Sequence, residues 1–253
     1  MKYYERLLEM GCFTRDEVCG LTGNYNTTGT LLKSYQKKGY VMQVKRNLYV
    51  AINLADRQPV ANKHRIAGRI TPSAYVSHHA AFEYYGCANQ VSYQVEVSSE
   101  TPFASFSFDG LNYKYIASRI PDGVVTQPDR IRVTDMERTV LDGINDIGMA
   151  AGLEELLRCL ELIPSISEDK LLSYLAEYNK QVLYQKTGYI LRHFQNMFNL
   201  SEAFFNECSA HIGKSTRYLI AKGAGKYNSE WRLVVPEDLN KITSKGVSHN
   251  ADL

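Results

Sequence analysis

The sequence predicts an α+β fold, with an N-terminal helical head closed by a hairpin, a mixed α+β middle and a mainly helical C-terminal region. Three observations predict it. Three short helical segments separated by glycines precede two β-prone runs around a basic tip, Lys45-Arg46-Asn47. The hydrophobic period then switches to two, with Val91, Tyr93, Val95 and Val97 alternating with Ser92, Gln94, Glu96 and Ser98. From Met149 onward leucines recur at helical spacing, as in Leu153, Leu156, Leu157 and Leu160.

In the head, Tyr4, Leu7 and Leu8 mark a first helix over about 2–10, stopped by Gly11. Thr14 followed by Glu17 is a capping box, the hydroxyl serving one orphan N–H and the carboxylate another. It opens a short helix that buries Val18. Leu21-Thr22-Gly23-Asn24 reads as a turn, because Gly and Asn tolerate positive φ. A third helix spans about 26–38, with Leu32 and Tyr35 inward and Gly39 as its C′ residue. Tyr40–Val44 and Leu48–Ile52 form the hairpin. The expected core is Leu7, Leu8, Val18, Leu32, Tyr35 and Val50. Three helices followed by a basic-tipped hairpin is the order of a winged helix-turn-helix, assigned to residues 1–53.

Residues 54–63 read as a linker, and 64–253 as one α+β domain: a mixed part at 64–147, a mainly helical part at 148–239 and a loose polar tail at 240–253. In the mixed part Thr71-Pro72-Ser73 opens a helix expected to reach about Tyr85. Phe103–Phe108, Asp109-Gly110 and Leu111–Ala117 read as strand, type I′ turn and strand. Ile131–Val133 adds a strand, and Thr134 with Glu137 forms a second capping box. Further helices follow around 171–178, 183–198 and from Ser201, and Trp231–Val235 is a late strand closed by Pro236.

The 253 residues carry a net charge of only +2, so the whole chain is not a basic glove. The charge is nevertheless uneven. Residues 1–53 hold eight Lys and Arg against four Asp and Glu, a balance of +4, which leaves −2 for the other 200 residues. A basic head on a mildly acidic body is the asymmetry of a protein that meets phosphates at one end. With Leu32 and Tyr35 inward, the outer face of the third helix carries Asn26, Thr27, Thr30, Lys33 and Lys37. Asn reads adenine, Thr either base type, and Lys guanine or phosphate. Arg46 at the hairpin tip suits a narrow minor groove, with Lys45 on phosphate. Double-stranded DNA is the expected partner. The alternative is a solvated helix face in a protein-binding winged helix.

The chain begins without an apolar h-region, and no apolar run approaches the ~18 residues of a membrane span. A cytoplasmic location without membrane association is expected. Cys12, Cys19, Cys87, Cys159 and Cys208 are scattered and never spaced C-x-x-C, which argues against a disulfide framework and a zinc site. His64, His78 and His79 have no Cys or acidic residue at ligand spacing. Asp109, Glu96 and Lys114 resemble a nuclease set only loosely, since a turn explains Asp109. Glu137 is explained by its cap and Arg138 by a surface or interdomain contact. Gly223-Ala224-Gly225-Lys226 lacks phosphate-loop spacing. The expectation is no catalytic set, no metal and no cofactor.

Four stretches carry a family resemblance: Phe13–Val50; Tyr75–Gly86, reading Tyr-Val-Ser-His-His-Ala-Ala-Phe-Glu-Tyr-Tyr-Gly; Arg132–Asp142; and Trp231-Arg232-Leu233. In that order they resemble the AbiEi-like antitoxins of bacterial type IV toxin–antitoxin and phage-defence systems. The sequence departs in carrying Asn26-Thr27-Thr28-Gly29 where members often begin the recognition helix with Arg. The resemblance implies a transcriptional repressor of its own operon. It also implies an antitoxin that counteracts a nucleotidyltransferase-like toxin without a stable complex. Two other readings remain: a regulator whose body binds a ligand or protein, and a metal-dependent nuclease on the central strands.

Overall fold

A computed structural model describes residues 2–128, 130–220, 225–236 and Leu239. The fold is mixed α+β, and the chain separates into two compact units. The first comprises residues up to Val76, Tyr93–Ser118 and Thr126–Val133; the second comprises Ser77–Ser92, Arg119–Val125 and the chain from Thr134 onward. The division is therefore interleaved, unlike the expected cut at 54–63. That segment is no free tether: Val60 N–H donates to the Ala51 carbonyl (2.9 Å), and Ile52 bridges Pro59.

The first unit opens with α1 (Tyr4–Met10), β1 (Cys12–Thr14), α2 (Arg15–Thr22), α3 (Tyr25–Lys37), β2 (Val41–Lys45) and β3 (Leu48–Ala51). The three strands form an antiparallel sheet ordered β1-β3-β2. Tyr4, Leu7, Phe13, Val18, Leu32, Tyr35, Val41 and Ala51 cluster beneath the helices. Burying each large apolar side chain contributes about 1.5–3 kcal/mol. Val50 is buried as expected, whereas Leu8 is only partly so.

After α4 (Lys63–Ala67) the chain enters a second sheet, built from β4 (Tyr75–Val76), β5 (Gln94–Ser99), β6 (Phe106–Phe108), β7 (Leu111–Ala117), β8 (Val124–Thr126) and β9 (Arg132–Thr134). Its order is β6-β7-β5-β4-β9-β8. The helix expected from Thr71 does not form there. Tyr75 and Val76 are paired between β5 and β9 and fully buried, so sheet pairing overrides the helical pattern, and α5 (His78–Tyr84) starts only after Ser77. The strand expected from Val91 begins at Gln94, leaving Val91 and Tyr93 exposed. The Asp-Gly turn stands as read, with φ of +51° at Asp109 and +75° at Gly110.

The second unit is mainly helical: α5, α6 (Met136–Asn145), α7 (Leu153–Glu161), α8 (Glu168–Tyr178), α9 (Gln181–His193), α10 (Gln195–Phe198) and α11 (Glu202–Ala210). A small sheet ordered β10-β12-β11 follows, from β10 (Arg217–Tyr218), β11 (Lys226–Asn228) and β12 (Leu233–Val235). The glycine motif at 223–226 and the tail at 240–253 fall outside the described residues, apart from Gly225 and Lys226.

Two expectations at α6 are corrected. The cap is Asp135, whose carboxylate accepts from Arg138 N–H (2.9 Å), because Thr134 is held in β9 with its hydroxyl 2.7 Å from that of Thr139. Glu137 instead accepts from Ser167 N–H (2.8 Å) and pairs with Lys170 (3.4 Å). Arg138 is not at the surface but 1% exposed. Its guanidinium donates to Asp142 (3.0 Å) and to the carbonyls of Ile120 (3.1 Å) and Asp122 (2.6 Å), which compensates its burial.

Asp146, at the C-terminal end of α6, carries a pH prediction. The His78 imidazole (3.7 Å), the Arg119 guanidinium (3.1 Å) and the Asn145 amide (2.8 Å) hold its carboxyl down at about 2. A depressed carboxylate pKa stabilises the fold above the unfolded value of about 4, and that contribution is lost as pH falls towards 2. Asp146→Asn therefore lowers the thermal midpoint at pH 6, and its deficit shrinks through the pH 4 to 2 window. A deficit that stays constant to pH 2 would show that the Asp146 charge does not matter.

Candidate nucleic-acid interface

The Thr14 capping box forms as the sequence reads. The hydroxyl accepts from Glu17 N–H (3.3 Å), and the Glu17 carboxylate accepts from Thr14 N–H (2.7 Å). Glu17 is then clamped by the Arg69 guanidinium. Burial raises the Glu17 pKa, but the bonds from Arg69 and Thr14 outweigh it and pull it below the ordinary value. The turn to α3 needs Gly23 at φ +72°, and the Asn24 side chain caps α3 by accepting from the N–H groups of Asn26 (2.9 Å) and Thr27 (3.0 Å). At the far end Tyr40 N–H reaches the Tyr35 carbonyl and Gly39 N–H that of Gln36, a Schellman motif with Gly39 at φ +68°.

These two ends fix the rotation of α3. Thr28, Leu32 and Tyr35 are its buried stripe. Asn26, Thr30, Lys33 and Lys37 each lie two positions from a stripe position, about 200° round the helix, and all four are exposed. Thr27 is exposed beside them, close to the cap, while the Thr30 hydroxyl donates to the Asn26 carbonyl (3.2 Å).

The hairpin tip is Arg46-Asn47, with Asn47 at φ +64° and Arg46 exposed. The Asn47 side-chain amide oxygen (Oδ1) accepts from Arg15 N–H (3.1 Å), which ties the tip to the start of α2. Lys45 behaves differently from the other cations. It is half-buried, its ammonium 5.2 Å from the Phe103 ring and 5.7 Å from the Phe106 ring, and burial lowers its pKa. Its ammonium thus rests against two aromatic rings rather than standing fully in solvent.

Between α3 and the hairpin lies a groove of about 440 Å³, lined by Asn26, Thr30 and Lys33 together with Arg15, Gly29, Leu32, Gln36, Gln43 and Tyr49. No acidic residue lines it. Arg15, Gln36, Gln43 and Tyr49 were missed by the sequence reading. Strand alternation would place Gln43 on the face of the buried Val41, and only the register shift between Gln43 and Lys45 turns it outward; nothing local marks Arg15 either. Its guanidinium lies 3.7 Å from the Tyr25 ring centre and donates to the Tyr25 carbonyl (3.2 Å). A Cβ at Gly29 would stand 2.9 Å from it, so the glycine makes room for Arg15.

No family model matches the chain, and neither does any curated protein. Among solved structures it is similar to the crystal structure of the RV2827C protein from Mycobacterium tuberculosis, with a TM-score of 0.60 over 98% of this chain and 95% of that one, at 13% identity. The two chains share a fold. At that identity the likeness is one of architecture.

The residues that invited a nuclease reading are not drawn into one centre. Glu96 and Lys114 are register partners across β5 and β7. Asp109 sits in the turn before Leu111, so it lies about 10 Å or more along the strand from Lys114. His64 belongs to the first unit, while His78 and His79 are buried in the second. His79 Nε2 lies 3.2 Å from Glu155, an acidic partner invisible at sequence spacing.

Proposed function

We propose that residues 1–53 form a winged helix-turn-helix that binds double-stranded DNA. On this reading α2 and α3 are the helix-turn-helix, α3 enters the major groove and the β2–β3 hairpin is the wing. The observation that carries it is the outer face of α3, where Asn26, Thr30, Lys33 and Lys37 line up in solvent and continue into an acid-free groove with Arg15 and Gln43. Lys33, Lys37 and Arg46 meet phosphates, and Asn26, Thr27 and Thr30 face bases. Arg15 joins them from the start of α2. Lys45 supports the wing.

We further propose, from the family resemblance, that the protein represses its own operon and counteracts a nucleotidyltransferase-like toxin without forming a stable complex with it. Among the described residues no helix is long and apolar enough to cross a membrane. A titration of the full chain against the DNA upstream of its gene, by gel shift or anisotropy at several salt concentrations, tests the first proposal. Growth on co-expression with the neighbouring gene tests the second. A neighbour that is toxic alone and remains toxic with this protein refutes the antitoxin role.

A further inference from the structure

Within the second unit, α5 and α7 bring together three side chains that no sequence spacing groups. Glu155 and Cys159 are one turn apart on α7 and face His79 on α5. All three are at most 1% exposed. One ligand-capable atom from each lies within 4.8 Å of the others. Glu155 Oε1 is 3.2 Å from His79 Nε2 and 3.5 Å from Cys159 Sγ.

Those separations have the size of a zinc polyhedron. Bonds of about 2.0–2.2 Å to N and O and 2.3 Å to S, at tetrahedral angles, put N and O about 3.3 Å apart and S and O about 3.6 Å apart. The carboxylate is also held from behind. The successive N–H groups of Asn89 and Gln90 donate to Oε1 at 2.9 and 3.0 Å, the kind of outer support that orients a metal-binding carboxylate. Four neighbours thus crowd one oxygen, while the other, Oε2, is fully buried with no partner among the described residues. A buried carboxylate oxygen in that state lacks a positive or donating group.

We propose that His79, Glu155 and Cys159 bind a divalent zinc-type cation that pins α5 to α7. Charge balance favours it: a carboxylate and a thiolate together neutralise one dication, so the buried site carries no net charge. The pairing of nitrogen, sulfur and oxygen donors selects zinc over magnesium or calcium, which take oxygen alone. Without a cation, burial and then Glu155 hold the Cys159 thiol protonated, and metal binding releases that proton.

Cobalt(II) added to the tag-free, chelator-treated full chain tests the site. The expected result is one equivalent bound, with a near-ultraviolet sulfur-to-cobalt charge-transfer band that zinc displaces. Cys159→Ser removes the band, and Cys208→Ser, at a buried thiol elsewhere, keeps it. His79→Gln and Glu155→Gln each weaken zinc binding by more than about tenfold, and zinc raises the thermal midpoint of the parent but not of Cys159→Ser. Should these variants fail to fold, the parent decides alone. A parent that binds cobalt without the charge-transfer band, or takes up no metal at micromolar concentration, overturns the proposal, as does a band that survives Cys159→Ser.

Discussion

Changing Lys33, Lys37 and Arg46 together to alanine is expected to remove most of the affinity for upstream DNA. Each neutralised phosphate adds about 0.9 to the slope of log affinity against log salt. A head making about four phosphate contacts should show a slope of about −3 to −4, and the triple variant about −1. At ~0.1 M salt that is a loss of about 10²–10³-fold. Lys37→Ala alone should weaken all sequences alike and flatten the slope by about one unit. Asn26→Ala or Thr30→Ala should instead change preference at one or two base pairs, by about 1–3 kcal/mol each. Lys45→Ala separates support from contact: with its ammonium seated over Phe103 and Phe106, it should cost thermal stability more than salt slope. A triple variant that binds as well as the parent removes these residues from the interface. A parent that fails to bind at low salt removes DNA binding altogether.

The second large effect lies in the helical unit. Trp231 is 1% exposed, edge-on to Phe205 at 6.5 Å between ring centres. It packs so closely on α9 that a Cβ at Gly188 would stand 2.0 Å from the indole. Gln185 donates to its carbonyl (3.1 Å). Trp231→Ala should cost about 3–5 kcal/mol, because the rigid helix backbone beneath it cannot collapse into the space. For a chain of this size that lowers the thermal midpoint by roughly 6–20 °C. Gly188→Ala should also destabilise, although alanine gains about 1 kcal/mol of helix propensity, since a buried indole cannot yield. Calorimetry or denaturant titration checks both. A Gly188→Ala protein as stable as the parent would mean that the indole does not rest on α9.

The local grammar of the head was legible because each of its signals acts within a few residues. Thr14 and Glu17 cap α2, Gly23 and Asn24 make the turn, Gly39 ends α3, and the i, i+3 spacing of Leu32 and Tyr35 fixes which face looks outward, Thr28 joining that stripe only in the structure. The exposed set Asn26, Thr30, Lys33 and Lys37 follows from that rotation alone. Where a choice depended on a distant partner, the local signal failed. Tyr75 and Val76 sit in a helical pattern yet pair with β5 and β9. Thr134 is an acceptable cap, but strand pairing claims it and Asp135 takes its place. Arg138 reads as a surface or interdomain contact until Asp142 and two carbonyls surround it.

By itself, then, the sequence determined the α+β composition, the turns and caps of the head, its basic bias and the outward face of α3, because these depend on backbone propensity and side-chain period. Tertiary structure alone decided what depends on contacts across long separations. It interleaved the two units, brought Arg15 to the α3 groove from eleven residues before Asn26, and seated Lys45 on Phe103 and Phe106. It also placed His79 against Glu155, seventy-six residues away in the chain. No spacing rule reaches that far, because once the chain folds back on itself neighbours are chosen by packing and by the need of every buried charge for a partner.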